Sequence, residues 1–308
     1  MPVVTELQER KSADMDREGA RGTGRVFSHC ANPRCGTGWL QLWRGRNAPN
    51  FGGRWACSTP CLQELVLAAI VSEMGAGNYA SPAHTHRVPL GLALVEHGDL
   101  SPEQLRQAVE DRRRAGQHTR VAIPMGNWLI GGGLVSEAVV TRAIGAQWGC
   151  PVFSLHDRYR PAEVASALPR FLAEAFGAVP LCAAQDELLY VAFSGPVDRS
   201  LAYAMERILG MRVIAGILPD TDFERARSAF LAEPGPAMRM AEARDPAALA
   251  RMLTRIIERE KPADAALAGI HGYGWLRMRK RGAQVQGVPH CEEVSDILCA
   301  ICEMPADD

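Results

Sequence analysis

The residues in this sequence best suited to chemistry are four cysteines near its beginning. They are spaced as Cys30-x4-Cys35, then 21 residues, then Cys57-x3-Cys61. Tetrahedral zinc needs four soft ligands at about 2.3 Å, which two short-spaced cysteine pairs brought together by a hairpin can supply. The spacing therefore predicts one zinc ion bound by all four thiolates. The competing interpretation is a small tryptophan-rich lobe with four buried or free thiols.

The elements expected around these cysteines agree with a metal site. The stretch 38–56 predicts a hairpin that returns near Gly52 and Gly53, and a helix begins just after Cys57. In the first turn of that helix Cys57 and Cys61 point the same way. Residues 29–74 thus predict a treble-clef-like zinc finger. Because four cysteine ligands leave no open position for water, we expect the zinc to be structural, worth on the order of 10 kcal/mol.

Composition and charge restrict the remaining function classes. The chain has 308 residues, of which 47% are hydrophobic and 22% charged, and its net charge is −1. No overall field attracts nucleic acid or an anionic membrane. The longest apolar run, 65–71, is too short to span a bilayer, and the charged N-terminus does not resemble a signal peptide. We therefore expect a cytoplasmic protein without membrane insertion, whose nine cysteines are metal ligands or buried thiols.

A short phrase occurs twice, as VPLGLALVEHGDLS at 88–101 and as IPMGNWLIGGGLVS at 123–136. Each copy predicts a short helix that stops at a glycine, followed by a serine that caps a second helix. Residues 88–147 thus predict two helix-loop-helix units side by side. Mutual packing explains the apolar positions. It explains less well Gly91 and Gly126, whose place near the helix starts would let a backbone, a ligand or an anion approach.

The tandem spacing L-G-x-x-L-V-x-x-G-x-L-x4-L, followed by AQWGCPVFSL at 146–155, resembles a known family. This is the N-terminal domain of type II secretion and type IV pilus assembly ATPases, the MshEN or GspE N-terminal family. The α-β-β-α-β-α pattern expected over 168–231 is also similar, so the resemblance covers about 88–231. It implies an accessory domain that docks a protein partner, here a secretion or pilus assembly component. It also implies a cyclic di-GMP site against the paired helix starts.

The family's nucleotide-contacting positions can be carried over one by one. They correspond here to Leu90, Gly91, Leu94, Val95, Gly98, Met125, Gly126, Leu129, Ile130, Gly133 and Gln147. Pro89 and Pro124 stand where the family has an arginine before each Leu-Gly, and Arg112 stands where it has the first glutamine. Proline can neither stack on guanine nor pair with phosphate, as a guanidinium can. The motif's glycine and apolar positions are thus present, whereas the arginines that would contact the ligand are replaced by proline. Arg87 and Arg120 would compensate only on a different backbone path.

The whole chain is expected to be an α+β protein built from several parts. In order, these are a disordered tail (1–28), the zinc-finger-like module (29–74), a linker (75–87), the tandem helical motif (88–155), the α-β-β-α-β-α part (160–231) and an α/β C-terminal extension (238–308). Within the extension, 272–279 predicts a strand. Residues 292–303 predict a helix, whose stripe would be Val294, Ile297, Leu298 and Ile301.

The sequence favours a binding protein over an enzyme. Its only lysines are Lys11, Lys261 and Lys280, and none follows a glycine-rich loop, so this sequence carries no G-x4-G-K-[ST] phosphate loop for ATP hydrolysis. We therefore expect a non-enzymatic adaptor or regulator. The alternative is a zinc-finger regulator that binds nucleic acid through Arg25, Arg34, Arg44, Arg46 and Arg54, which the neutral net charge disfavours. A weak second metal cluster is formed in sequence by His290, Cys291, Cys299 and Cys302.

Overall fold

The computed structural model describes residues 30–36, 49–75, 88–116, 123–155, 159–185, 187–283 and 287–302. The tail predicted for 1–28 lies outside these ranges, as does nearly all of the linker predicted for 75–87. The described residues form the expected α+β protein, with helices and two mixed sheets. None of the helices within these ranges combines the length and apolarity needed to cross a membrane.

The first described elements are a short hairpin and a long helix. Strands β1 (Asn50–Phe51) and β2 (Arg54–Trp55) pair antiparallel, and helix α1 spans Thr59–Gly75. Gly52 and Gly53 make the tight return at φ values of 60° and 72°, which glycine adopts without steric cost. The predicted glycine turn and the end of the hairpin next to it are thus present, whereas residues 38–48 of the predicted stretch lie outside the described residues.

The doubled phrase folds as two copies of one helix-loop-helix unit. The helices are α2 (Leu90–Glu96) and α3 (Pro102–Gly116) in the first copy, and α4 (Met125–Gly131) and α5 (Glu137–Trp148) in the second. Gly98 and Gly133 adopt the positive φ expected after the first helix, and the Ser101 and Ser136 hydroxyls accept the capping N–H bonds of the second. The four helices share one small core of Leu94, Leu100, Ala108, Leu129 and Ala143.

The next part has the predicted α-β-β-α-β-α order after one extra helical turn. Its elements are α6 (Pro161–Val164), α7 (Arg170–Phe176), β3 (Ala178–Ala184), β4 (Leu188–Phe193), α8 (Arg199–Leu209), β5 (Arg212–Ile217) and α9 (Asp220–Ala232). The sheet order is β3-β4-β5, antiparallel and then parallel. The amphipathic helix α8 buries Leu201, Met205 and Ile208 and ends at Gly210 in the left-handed conformation, as its sequence pattern predicts.

The last part builds a larger sheet together with the first hairpin. Its elements are β6 (Ala237–Ala243), α10 (Pro246–Glu260), β7 (Asp264–Ile270), β8 (Tyr273–Arg279) and β9 (Val294–Ile301). The sheet order is β2-β1-β7-β8-β9-β6, and β1 pairs parallel with β7 at Phe51 and Ala265. One face of this sheet carries α1 and α10, and residues of the other face, such as Trp275, join the core of the β3-β4-β5 part. The N-terminal hairpin and the C-terminal strands are therefore one structural layer.

The helix predicted for 292–303 is wrong. A short 3-10 turn at Cys291–Glu293 leads into strand β9, which lies between β8 and β6. Both faces of β9 are covered, so Val294, Ile297 and Leu298 are all buried. An interior strand has apolar residues on both faces, and over a short run that pattern cannot be distinguished from a helical stripe. The strand predicted for 272–279 is confirmed as β8.

The C-terminal end of α1 contacts both β7 and α8. The Glu73 carboxylate accepts the Gly269 N–H at 3.2 Å and pairs with the Arg207 guanidinium of α8, also at 3.2 Å. A Cβ atom at position 269 would collide with the backbone carbonyl of Glu73. Only glycine therefore lets the helix backbone approach this strand so closely.

Replacing Gly269 with alanine should weaken this junction. Because the new methyl group meets helix backbone rather than a movable side chain, we expect the free energy of unfolding to fall by about 1–3 kcal/mol. Gly195→Ala is the matched control, because a Cβ there meets nothing within 4 Å. Urea unfolding followed by circular dichroism measures both variants. Equal stability of the two would contradict the close packing of α1 on β7.

Candidate metal centre and tandem unit

The four predicted zinc ligands come together. The sulfur atoms of Cys30, Cys35, Cys57 and Cys61 all lie within 4.8 Å of one another. The Cys57 sulfur is 3.5 Å from that of Cys35 and 3.6 Å from that of Cys61. Sulfur ligands at 2.3 Å around a tetrahedral ion would be ~3.8 Å apart. The cluster thus has the dimensions of a four-thiolate metal site.

Short-range contacts on both sides preorganise the cluster. In the first loop, the Cys35 N–H donates to the Asn32 carbonyl at 3.0 Å and the Arg34 N–H to the Asn32 side-chain oxygen at 2.9 Å. The buried Asn32 amide also donates to Glu64 on α1 at 3.0 Å. This link fixes the loop against the helix that supplies Cys61. Sequence reasoning missed Asn32, although its place between the first two cysteines is the signal for such a turn.

The electrostatics of the cluster suit a divalent cation. Burial raises the pKa of the Cys30 thiol to about 12, because a bare thiolate is disfavoured away from water. A bound divalent ion reverses that balance and displaces the proton. The Cys57 N–H, which points to the Cys30 sulfur at 3.4 Å, also favours the thiolate. These residues could therefore hold a metal ion, in agreement with their spacing.

The weaker second cluster does not assemble. In the described part of the chain, the four N-terminal cysteines are the one group of His, Cys, Asp or Glu arranged for a metal. The Cys299 thiol is buried and directed to the Ile297 carbonyl, and the Cys291 thiol donates to the Pro234 carbonyl at 2.9 Å. Of the arginines considered for nucleic acid, Arg34 and Arg54 are described, and the others lie outside the described residues.

A reciprocal pair of hydrogen bonds joins the two copies of the tandem unit. The Arg112 guanidinium, at the end of α3, donates at 2.8 Å to the carbonyl of Ile123, the first residue of the second copy. The Gln147 amide, at the end of α5, donates to the carbonyl of Val88, the first residue of the first copy. Both donors and both acceptors are 35 residues apart. Arg112 and Gln147 are thus occupied within the chain, at the positions the family assigns to its ligand-contacting glutamine.

The structure explains why glycine stands near the start of α2 and of α4, which the sequence pattern alone does not. A Cβ at Gly91 would lie 2.5 Å from Leu105, and a Cβ at Gly126 would lie 2.9 Å from Val140. Leu105 and Val140 occupy equivalent places in α3 and α5. Each glycine therefore gives the second helix of its own copy a close approach.

The helix starts themselves carry proline. Pro89 and Pro124 occupy the N-cap positions of α2 and α4, and neither provides a side-chain cap. Arg87 and Arg120, the arginines considered as substitutes, lie outside the described residues. Within the described part, the arginine-dependent ligand contacts of the family pattern have no replacement at positions 89 and 124.

The two glycines should differ in their sensitivity to substitution. Val140 is buried and β-branched, so it cannot rotate away from a methyl group at position 126, whereas the end of Leu105 can move. We expect Gly126→Ala to lower the free energy of unfolding by about 1–2 kcal/mol and Gly91→Ala by about half as much. Denaturant unfolding of the two variants checks this. A larger loss for Gly91→Ala would contradict the packing described.

Comparison with known proteins identifies the segment that follows the tandem unit. Residues 148–237 match the family described as the MshEN domain. The match covers α6 to α9 and the β3-β4-β5 sheet, and it begins at the last residue of α5. The family resemblance inferred from the sequence is thereby confirmed.

Two similar curated proteins are type IV pilus assembly ATPases. The type IV pilus assembly ATPase PilB of Thermus thermophilus is 29% identical over 143 residues, 46% of this chain. The type IV pilus assembly ATPase PilB of Myxococcus xanthus is 26% identical over 149 residues, 48% of this chain. The chain spans only 15% and 25% of the lengths of these relatives.

Two solved structures are also similar over nearly half of the chain. One, described as MshE with cdg, is 25% identical and covers 47% of this chain and 99% of its own, with a TM-score of 0.36. The other, the N-terminal domain of XpsE, is 19% identical and covers 46% of this chain and 92% of its own, with a TM-score of 0.31.

Proposed function

We propose that this protein is a non-enzymatic adaptor or regulator that docks a protein component of a secretion or pilus assembly apparatus. The observation that carries the proposal is an MshEN domain joined to a folded tandem unit, in a sequence without a phosphate-binding lysine loop. Its curated relatives act in pilus assembly, and the stretch aligned with them is nearly half of this chain.

Cross-linking in the native host tests the docking role. A tagged copy of the chain, cross-linked and purified under denaturing conditions, should enrich secretion or pilus assembly proteins over a tag-only control. Leu94 is fully buried in the tandem core, so Leu94→Glu, which collapses that core, should abolish the enrichment. The proposal would be contradicted if nucleic acid alone were enriched, or if the native chain and Leu94→Glu enriched the same proteins equally.

The four-cysteine cluster is proposed to hold one structural zinc ion. The sulfur separations, the four thiol side chains of the group and the loop fixed by Asn32 support this assignment. Because Cys57 and Cys61 flank the start of α1, the ion would join the first loop to the helix that packs on the six-stranded sheet. The metal would therefore stabilise the larger part of the protein, not the loop alone.

Metal analysis of purified protein tests the zinc site. We expect one zinc per chain by inductively coupled plasma mass spectrometry, and less than about a tenth of that after Cys61→Ser, with a clear fall in melting temperature. Cys182→Ser is the control, since this thiol is exposed and stands apart from the cluster. Full zinc content in Cys61→Ser would remove that residue from the site.

Cyclic di-GMP is the ligand implied by resemblance for the tandem unit, and we propose that this chain binds it weakly. Proline occupies both positions of the guanine-stacking arginine, while Arg112 and Gln147 are engaged with backbone carbonyls. A ligand would have to break both reciprocal hydrogen bonds to reach those side chains. Each bond broken without replacement costs about 1 kcal/mol or more.

Isothermal titration with cyclic di-GMP checks this. We expect no measurable heat at micromolar protein, because each lost guanidinium contact removes a charge-assisted interaction. The double variant Pro89→Arg/Pro124→Arg should bind more tightly than the native chain by at least about tenfold. Micromolar affinity of the native chain would contradict the proposal and assign the tandem unit as a cyclic dinucleotide sensor.

A further inference from the structure

The two copies of the tandem unit create two equivalent grooves, and an exposed ion pair bridges one of them. Between α5 and α2, the Arg142 guanidinium reaches across to Asp99 on the other wall at 3.1 Å. The equivalent residues in the other groove, 35 positions away, are Gln107 and Leu134. No ion pair can therefore bridge the second groove at that place.

The second groove, between α3 and α4, is open. Its cavity has a volume of about 550 Å³, which lies within the range of volumes of ligand-binding pockets. Ile123, Trp128 and Leu134 form its apolar side, and Gln107, Asp111 and Asn127 provide polar groups. Trp128 has no aromatic counterpart in the bridged groove, where the equivalent residue is Ala93.

The chemistry of the open groove suits a planar cation. The half-buried indole of Trp128 offers an aromatic face, which attracts guanidinium groups when they stack on it. The Asp111 carboxylate supplies the negative charge. Its nearest contacts are the Gln107 amide at 3.1 Å and the Arg114 guanidinium at 3.7 Å, which itself pairs more closely with Glu110 at 2.8 Å. An incoming guanidinium can therefore bind Asp111 at little cost to existing ion pairs.

We propose that this groove is the docking site for an arginine side chain of the protein partner. In the bridged groove the equivalent pair of helices places an arginine beside a carboxylate, and the lining of the open groove contains no arginine. A guanidinium fits better than an ammonium, because it can stack on an indole and donate two bonds to a carboxylate at once. The proposal rests on the partner-docking function proposed above and adds the chemistry of the contact.

Nuclear magnetic resonance of the ¹⁵N-labelled full chain tests the groove with N-acetyl-L-arginine amide as the probe. The indole N–H signal of Trp128, assigned with Trp128→Phe, should shift and saturate. N-acetyl-L-citrulline amide, which has the same shape without the charge, should bind at least about tenfold more weakly. Asp111→Asn should weaken the arginine probe about tenfold. Glu103→Gln, on the same helix but paired with Arg106 and outside the groove, should leave binding unchanged.

Two results would overturn the groove assignment. One is an equal response to the arginine and citrulline probes, and the other is unchanged binding of the arginine probe in Asp111→Asn with a native-like spectrum. Failure of the partner-docking function is seen separately, in the host cross-linking experiment. Cross-linking that persists in Asp111→Asn would keep the docking function and reject this groove. Binding of the arginine probe without capture of assembly proteins would keep the groove as an arginine site and reject the docking function.

Discussion

The contact between α1 and β7 is the constraint on which the rest of the structure depends. At Gly269 the helix backbone touches the strand, and Glu73 connects β7 to α8 through a hydrogen bond and an ion pair. The same helix carries Cys61 at its other end. Any loss of order in the cysteine cluster is therefore transmitted to the six-stranded sheet. A metal bound to the four cysteines, as proposed, would therefore stabilise a layer that includes strands from both the N-terminal and the C-terminal part of the described chain.

The tandem unit shows how a repeated scaffold can diverge in its surface while keeping its packing. Both copies retain a glycine against the partner helix, a left-handed glycine stop and a serine cap. The side chains outside that packing differ. Arg142 pairs across one groove where Gln107 leaves the other open, and Arg112 replaces the glutamine equivalent to Gln147. Internal packing thus keeps the repeat recognisable, whereas the exposed positions are free to change what the unit binds.

Local signals predicted much of this fold, and long-range contacts account for what they missed. Helix caps, glycine stops and apolar stripes predicted α2 to α5 and the α-β-β-α-β-α part. The cysteine spacing predicted the four residues whose sulfur atoms lie together. The pairing of β1 with β7 joins residues more than 200 positions apart, so no local pattern encodes it. Strand β9 was mistaken for a helix because its neighbours bury both of its faces. The groove beside Trp128 exists only once two helices meet.

A buried ion pair helps to determine how the six-stranded sheet meets the β3-β4-β5 part. Arg277 and Asp296 face each other on β8 and β9 and form two hydrogen bonds of 2.8 Å, while the Trp275 indole donates to Asp296 at 2.9 Å. All three are almost fully buried. Such a pair gains little net stability over apolar side chains, but separating its members leaves an uncompensated charge that costs about 3–5 kcal/mol. A shift of one strand against the other would separate them, so the pair opposes alternative registers. The face that meets the β3-β4-β5 part is consequently held in one arrangement, which fixes α8 and, through Glu73, the helix of the cysteine cluster.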